Sequence, residues 1–237
     1  MNDGGPATIA CQQSCIGKCS GQTNGGAFSG SSMMLLCDMN ERPSSPPRHA
    51  TTQAAEGLPR WRWSLADFDR LHELGVLGED DRVELIGGEL VPMQAKGGRH
   101  EFVKTKLINW MMRRLPEALE IAVKLGWRPD EATYLEPDVL IYGAGPAPSY
   151  VAPSQVLLAV EVADSSHGYD TGRKARIYAS LGVGEYWVIN AETLGTAVHR
   201  SPTAAGYADI VETPADAIIT PTLVAGLSVR LADLAIR

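Results

Sequence analysis

No run of apolar residues in this 237-residue chain is long enough to cross a membrane. The longest early candidate, Met33–Cys37, is also too short for the apolar stretch of a secretory signal, and no basic segment precedes it. A soluble, cytoplasmic protein is expected. Cysteine is missing after position 37: Cys11, Cys15, Cys19 and Cys37 are all that the chain has. That excludes a disulfide framework for a folded core. The spacing of the first three does not match the usual paired zinc pattern, and the segment around them has too few core-forming residues to scaffold a metal. Positive charge is in deficit as well, with 21 Lys and Arg against 28 Asp and Glu. The resulting net charge of −7 argues against reliance on non-specific phosphate attraction, though not against a local basic groove.

Residues 1–60 are rich in Gly, Ser, Pro, Thr and Gln and show no hydrophobic periodicity. They read as a disordered low-complexity tail, with Met39 as an alternative start. Residues 61–237 read as one folded domain, long enough to bury roughly 70% of its unfolded surface without staples. Ser64 and Asp67 form a capping-box start, and Leu65, Phe68, Leu71 and Leu74 continue a helical stripe. RVELIGGELVPM is a hairpin pattern around Gly87-Gly88, with Glu84 on the face of Ile86. Glu84 has two readings, a solvated or cross-strand-paired carboxylate and a site residue. A second helix is expected over 99–115, with His100, Val103, Leu107, Trp110 and Met111 on one stripe. His100 there is either a satisfied residue at the end of the core or a catalytic one. Lys104, Lys106, Arg113 and Arg114 read as an outer face suited to a phosphate backbone.

Strands are expected at 118–125 and 131–135, separated by a turn at 126–130. LEPDVLIYG then gives a short strand with Asp138 at its start. Beyond 190 come short strands in an antiparallel extension, with His199 on a solvent face, and a strand running into a short helix at the C-terminus.

The most informative stretch runs from Gln155 to Asn190. Val156–Val162 is apolar on both faces, as in a strand covered above and below, yet Glu161 interrupts it. A buried carboxylate costs several kcal/mol unless a cation, metal or proton compensates. A helix over 169–181 follows, ended by Gly182, and places Asp170, Lys174, Ile177, Tyr178 and Leu181 in one sector. Glu185–Asn190 then reads as a second internal strand. The unit is β–α–β, with a lysine on the crossover helix facing a carboxylate. A simple buried ion pair accounts for Glu161 and Lys174 but leaves Asp138 without a role. Two carboxylates and an inward lysine also suit a divalent-metal phosphodiesterase site. There, hard oxygen ligands hold magnesium, which lowers the pKa of a bound water, and the lysine stabilises charge developing on the phosphate.

These pieces, in the order SLADFDRL, RVELIGGELVPM, His100, EPDVLIYG, VLLAVEVADSS and YDTGRKARIYASLGVGEYWVIN, resemble the Uma-type "putative restriction endonucleases" of the PD-(D/E)XK nuclease superfamily. The resemblance spans 63–234 and rests most on the last piece. It implies an α/β (α+β) restriction-endonuclease-like core: a mixed central sheet flanked by helices, with an antiparallel C-terminal extension. It further implies Asp138 and Glu161 as metal carboxylates. Lys174 would be the catalytic lysine, supplied from the helix because Ala163 stands two positions after Glu161. Glu84 and His100 would line the same site, and Asp170 and Tyr178 match the pattern too. The implied function is Mg2+-dependent endonucleolytic hydrolysis of DNA by metal-activated water, with Mn2+ as a substitute ion. A homodimer fits, since many restriction-type nucleases cut both strands that way. The alternative is a catalytically silent nuclease-like module that binds nucleic acid or a protein partner. The chain departs from the family pattern at QAKGGR before His100, where a proline-serine turn is usual, and in lacking a proline after VADSS. Neither change removes a metal ligand.

The tail is too poor in apolar residues to offset the entropy of ordering it. Deleting residues 1–53 is expected to leave the melting temperature and any nuclease activity unchanged. A clear loss of either, reversed by zinc, would assign the cysteines a structural metal instead.

Overall fold

The computed structural model describes residues 60–78, 80–145 and 147–235. The low-complexity tail, its four cysteines and Met39 lie outside the described residues. The N-terminal half runs α1 (Leu65–Glu73), β1 (Val83–Ile86), β2 (Glu89–Pro92), α2 (Gly98–Met112), β3 (Leu119–Ala122), β4 (Trp127–Asp130), β5 (Thr133–Leu135) and β6 (Val139–Gly143). After it come β7 (Val156–Ala163), α3 (His167–Tyr169), a π turn (Asp170–Lys174), α4 (Ala175–Ser180) and β8 (Glu185–Asn190). The chain closes with β9 (Thr196–Thr203), β10 (Gly206–Thr213), β11 (Ile218–Ile219), β12 (Val229–Arg230) and a 3-10 turn (Leu231–Leu234). No helix among the described residues is long and apolar enough to cross a membrane.

Six strands form the central sheet in the order β10-β9-β8-β7-β6-β3. Only β7 and β8 run parallel, joined by the crossover through α3 and α4; the other pairs are antiparallel. This is the expected mixed sheet, and β9 and β10 are its antiparallel extension. β7 is covered on both faces because its side chains are apolar on both. Leu158, Val160 and Val162 pack with Val103, Leu107 and Met111 of α2 and with the C-terminal segment. Ala159 and Ala163 pack with Ala175, Tyr178 and Ala179 of the crossover. β8 divides its residues in the same way, Trp187 and Ile189 to one side, Tyr186 and Val188 to the other.

A smaller sheet, in the order β2-β1-β5-β4, brings β1 beside the crossover. Its hairpin turns at Gly87 and Gly88, whose φ values of +56° and +83° suit a tight turn that twists with its strands. A Cβ at Gly88 would lie 2.8 Å from the Cβ of Arg62, so the position also needs glycine for space. α1 begins at the expected capping box, in which the Asp67 N–H donates to Ser64 Oγ and the Ser64 N–H to Asp67 Oδ2. Its stripe is narrower than expected: Phe68 is buried, but Leu74 is exposed beyond the helix end.

Three further expectations are corrected. Of the segment 126–130, Trp127–Asp130 is a strand, β4, because Trp127 is drawn into the core and pairs opposite Leu135. His199 is buried on β9 beneath Tyr186 and Tyr207, and burial lowers its pKa. The crossover is not a regular helix, since Asp170–Lys174 takes the wider π geometry, which is rare and recurs at functional sites.

Trp127 is fully buried, stacks on Tyr178 at 6.1 Å between ring centroids and donates from Nε1 to the Val151 carbonyl at 2.8 Å. Trp127→Ala is expected to cost about 3–5 kcal/mol, read as a lower urea midpoint at unchanged denaturant slope. A loss below about 1 kcal/mol would mean that the surrounding side chains close the space.

Candidate active site

The β6–β7 register pairs Val139 with Val160, and one further step sets Asp138 opposite Glu161. Directly opposed residues of an antiparallel pair are neighbours, so the two carboxylate residues stand side by side where β7 ends. Both are buried, Asp138 completely. β1 contributes Glu84, the π turn contributes Asp170 and Lys174, and the first turn of α2 contributes His100. A cavity of about 440 Å³ opens there, lined by Glu84, His100, Glu161, Asp170 and Lys174 among others.

Lys174 is the hub on one side. Its Nζ stands 2.9 Å from Glu161 Oε1 and 3.1 Å from Glu84 Oε1. The Glu136 N–H also donates to Glu84 Oε1 at 3.0 Å, and Tyr178 Oη donates to Glu161 Oε1 at 3.1 Å. Asp170 is buried and held by Ser166 Oγ at 2.6 Å. Two carboxylates thus pair with one ammonium, and the charge of a third, Asp170, acts on it from further away. Burial alone would lower the lysine pKa, but Glu161, Glu84 and Asp170 hold it well above its usual value. The same negative excess acts on the acids. Burial pushes Glu161 up to about 8, with Lys174 opposing and Asp138, Asp170 and Glu84 adding to the rise. Asp170 is raised as well, again chiefly by burial.

Asp138 has the opposite environment. Its Oδ2 accepts from the Val162 N–H and pairs with His100 Nε2, each at 3.0 Å. Its Oδ1 pairs with Lys96, and Lys104 Nζ lies 3.8 Å from the same oxygen. Burial would raise this carboxyl, but His100 and Lys96 overcome it and hold it well below the ordinary range.

All five expected site residues, Glu84, His100, Asp138, Glu161 and Lys174, are therefore brought together. Glu84 is buried and paired, not solvated. Lys104 corrects the outer-face reading of α2: it is buried against Asp138 and pairs with Glu101 at 2.7 Å, while Arg113 and Arg114 stay exposed. Lys96 was not foreseen, because a lysine in an irregular segment gives no periodicity signal. Tyr169 lines the cavity and was not singled out either; its Oη is buried without a hydrogen-bond partner among the described residues, and His100 Nδ1 lies 3.3 Å from Glu101 Oε1.

The donors fit a hard divalent ion in type, being carboxylates on neighbouring strand ends within a buried negative excess. Magnesium is often held by one or two carboxylates with waters and substrate phosphates completing its shell. No three His, Cys, Asp or Glu side chains among the described residues are arranged to hold a metal on their own.

A mixed sheet with a parallel β–α–β unit and an acidic, lysine-bearing cavity at its strand ends is a restriction-endonuclease-like fold. The model of the Uma2 family, described as "putative restriction endonuclease", matches residues 65–235, and the chain belongs to this family. The fold also resembles a crystal structure of a "putative nuclease" of the DUF820 group from Anabaena variabilis, at 14% identity and a TM-score of 0.55. That likeness covers 72% of this chain and 96% of the other, and at such identity it concerns the fold. No curated protein matches the sequence.

The raised Glu161 pKa sets a pH dependence. Between its ordinary value of 4.5 and about 8, the folded protein keeps a proton that the unfolded chain has lost. Stability of the metal-free protein should therefore fall as pH rises through that window, by at most about 1.4 kcal/mol per pH unit for one proton, and level off above it. Asp138 loses its contribution only in stronger acid and Lys174 only in strong base, while the raised Asp170 adds to the fall and the lowered His199 opposes it below its ordinary value of 6.5, so the difference between wild type and Glu161→Gln isolates Glu161. Thermal melts from pH 5 to 8 should show the slope in wild type and a flatter profile in Glu161→Gln. Equal slopes in the two proteins would place the titrating group elsewhere.

Proposed function

We propose that this chain is a Mg2+-dependent endonuclease hydrolysing DNA phosphodiester bonds in the cytoplasm, with Mn2+ able to replace the magnesium. The observation that carries this reading is the convergence of Glu84, Glu161 and Lys174, from three separate elements, on one cavity, with Asp138 buried opposite Glu161 and reached through the cavity-lining Lys96 and His100. Asp138 and Glu161 are assigned as the carboxylates that hold the ion. When bound, a divalent ion supplies Lewis-acid polarisation of the phosphate and a water of lowered pKa. Lys174, kept protonated by its carboxylates, directs an ammonium at negative charge developing on the phosphate or the attacking oxygen. Glu84 holds that lysine in place, and His100 orients Asp138. Cutting both strands of a duplex calls for two such sites, which a homodimer provides.

One observation favours a second reading, a nuclease-like module that binds nucleic acid or a protein without cutting. Both oxygens of Asp138 are already engaged by protein groups. Lys174→Met separates the readings. If the lysine is catalytic, the purified variant in saturating magnesium should stay folded and bind metal while plasmid cleavage falls by about 10²–10³. If it serves only as an ion-pair partner, its loss should cost on the order of 3–5 kcal/mol through an uncompensated buried carboxylate, with metal giving no rescue. Wild-type protein that cuts neither DNA nor RNA with either ion would favour the silent module.

Asp138→Asn provides a second check. Two acids in one site repel until an ion neutralises them, so manganese or magnesium should raise the wild-type melting temperature by mass action. No rise is expected in Asp138→Asn. An equal rise in both proteins would move the ion to another place.

A further inference from the structure

We infer that Lys96 is a displaceable phosphate-binding lysine. In the resting state it stands on Asp138, where a divalent ion would bind, and it transfers to the substrate phosphate when the ion takes over that carboxylate. This rests on the metal-site reading above and adds a residue to it.

The argument starts from what holds each Asp138 oxygen. Oδ2 is held by the Val162 N–H and by His100, both on regular elements whose backbones are locked in β7 and α2. Lys104, 3.8 Å from Oδ1, is likewise fixed on α2 and tied to Glu101. Lys96 alone among these partners comes from an irregular stretch, the residues between β2 and α2. It is also the only one of the three side chains on Asp138 whose exposure is more than marginal, at 14% against 3–4% for His100 and Lys104.

Asp138 is fully buried and does not line the cavity, whereas Lys96 and His100 both line it and both hold the carboxylate. An ion approaching from the cavity meets them first. It needs a lone pair on Asp138, and Oδ1, held by Lys96, is the oxygen whose close partner is not fixed by helix or sheet. A lysine ammonium on a four-carbon stem can leave that oxygen by rotamer changes without moving the backbone. It then requires a new anionic partner. Glu84 and Glu161 already share Lys174, Asp164 is the remaining acid near Lys96, and a phosphodiester entering to reach Asp138, Glu161 and Lys174 brings negative oxygens into the space that Lys96 lines.

The lysine is thus a competitor for the metal and an ally of the substrate, and these roles have opposite signs on mutation. Manganese binding to the full chain, measured by calorimetry, should tighten by about tenfold or more in Lys96→Gln, corresponding to about 1.4 kcal/mol. Lys96→Arg, which keeps the charge on Asp138, should stay near wild type, and Asp138→Asn should not bind. At saturating manganese, Lys96→Gln should raise the KM for plasmid by about tenfold while changing kcat less. Unchanged or weaker manganese binding in Lys96→Gln, with binding still lost in Asp138→Asn, would overturn the role of Lys96 and leave the metal site standing. An unchanged KM would overturn the transfer to phosphate. If neither wild type nor Lys96→Gln binds manganese, the metal reading itself falls. A Lys96→Gln protein that fails to fold with or without manganese would make the lysine a structural counter-charge only.

Discussion

The cavity end of the molecule depends on one interaction, the burial of the Lys174 ammonium against Glu161 and Glu84 with the charge of Asp170 near by. Each carboxyl comes from a different part of the chain: the central sheet, the small sheet and the crossover itself. The lysine therefore ties β1 to β7 as well as neutralising charge. With Tyr178 donating to Glu161 from one turn further along the crossover, the helix is keyed to the strand by two contacts on one oxygen. Breaking such a pair from one side strands a buried charge, which explains why structural and catalytic roles for the lysine predict such different penalties.

A second buried carboxylate shows what a purely structural solution looks like in the same protein. Glu185, at the start of β8, receives Trp187 Nε1 and Arg200 on Oε1 and the Thr222 N–H on Oε2. One cation and two neutral donors satisfy one acid, far from the cavity. Around Lys174 the proportions are reversed, with three acids to one ammonium. A buried excess of negative charge persists only if protons or cations make up the difference, and the raised Glu161 and Asp170 are the form this takes in the free protein.

Much of this was legible in the sequence, and the limits have physical causes. β7 and β8 could be read because strands apolar on both faces occur only inside covered sheets. Lys174 stood out because the crossover has helical periodicity and a lysine broke its apolar sector. The hairpin was readable from Gly87-Gly88, where few other residues accept the backbone. Glu84 was ambiguous, since alternation on a short strand gives the face of a side chain but not what covers that face. His199 and Trp127 misled for a related reason: the tyrosines of β8 and β10 cover His199 and sequence-distant elements cover Trp127, and local polarity reports on neither. The π turn was hidden because only a single turn departs from helical phase. Lys104 was misplaced because a charged residue on a helix reads as solvated until a partner such as Asp138 is known.

The two central carboxylates, side by side on adjacent strands, are driven in opposite directions. Asp138 is held ionised by Lys96, His100 and a backbone N–H, whereas burial and neighbouring acids favour a proton on Glu161. Acids pushed apart in this way are a common arrangement where protons or charge must move. In a site that serves only to pack, nothing requires the cations to gather on the acid at one end of the register while the other acid shares its lysine. The asymmetry is useful if a divalent ion is to enter. Asp138 and Glu161 would be the carboxylates to hold such an ion, and its charge would favour the ionised form of Glu161.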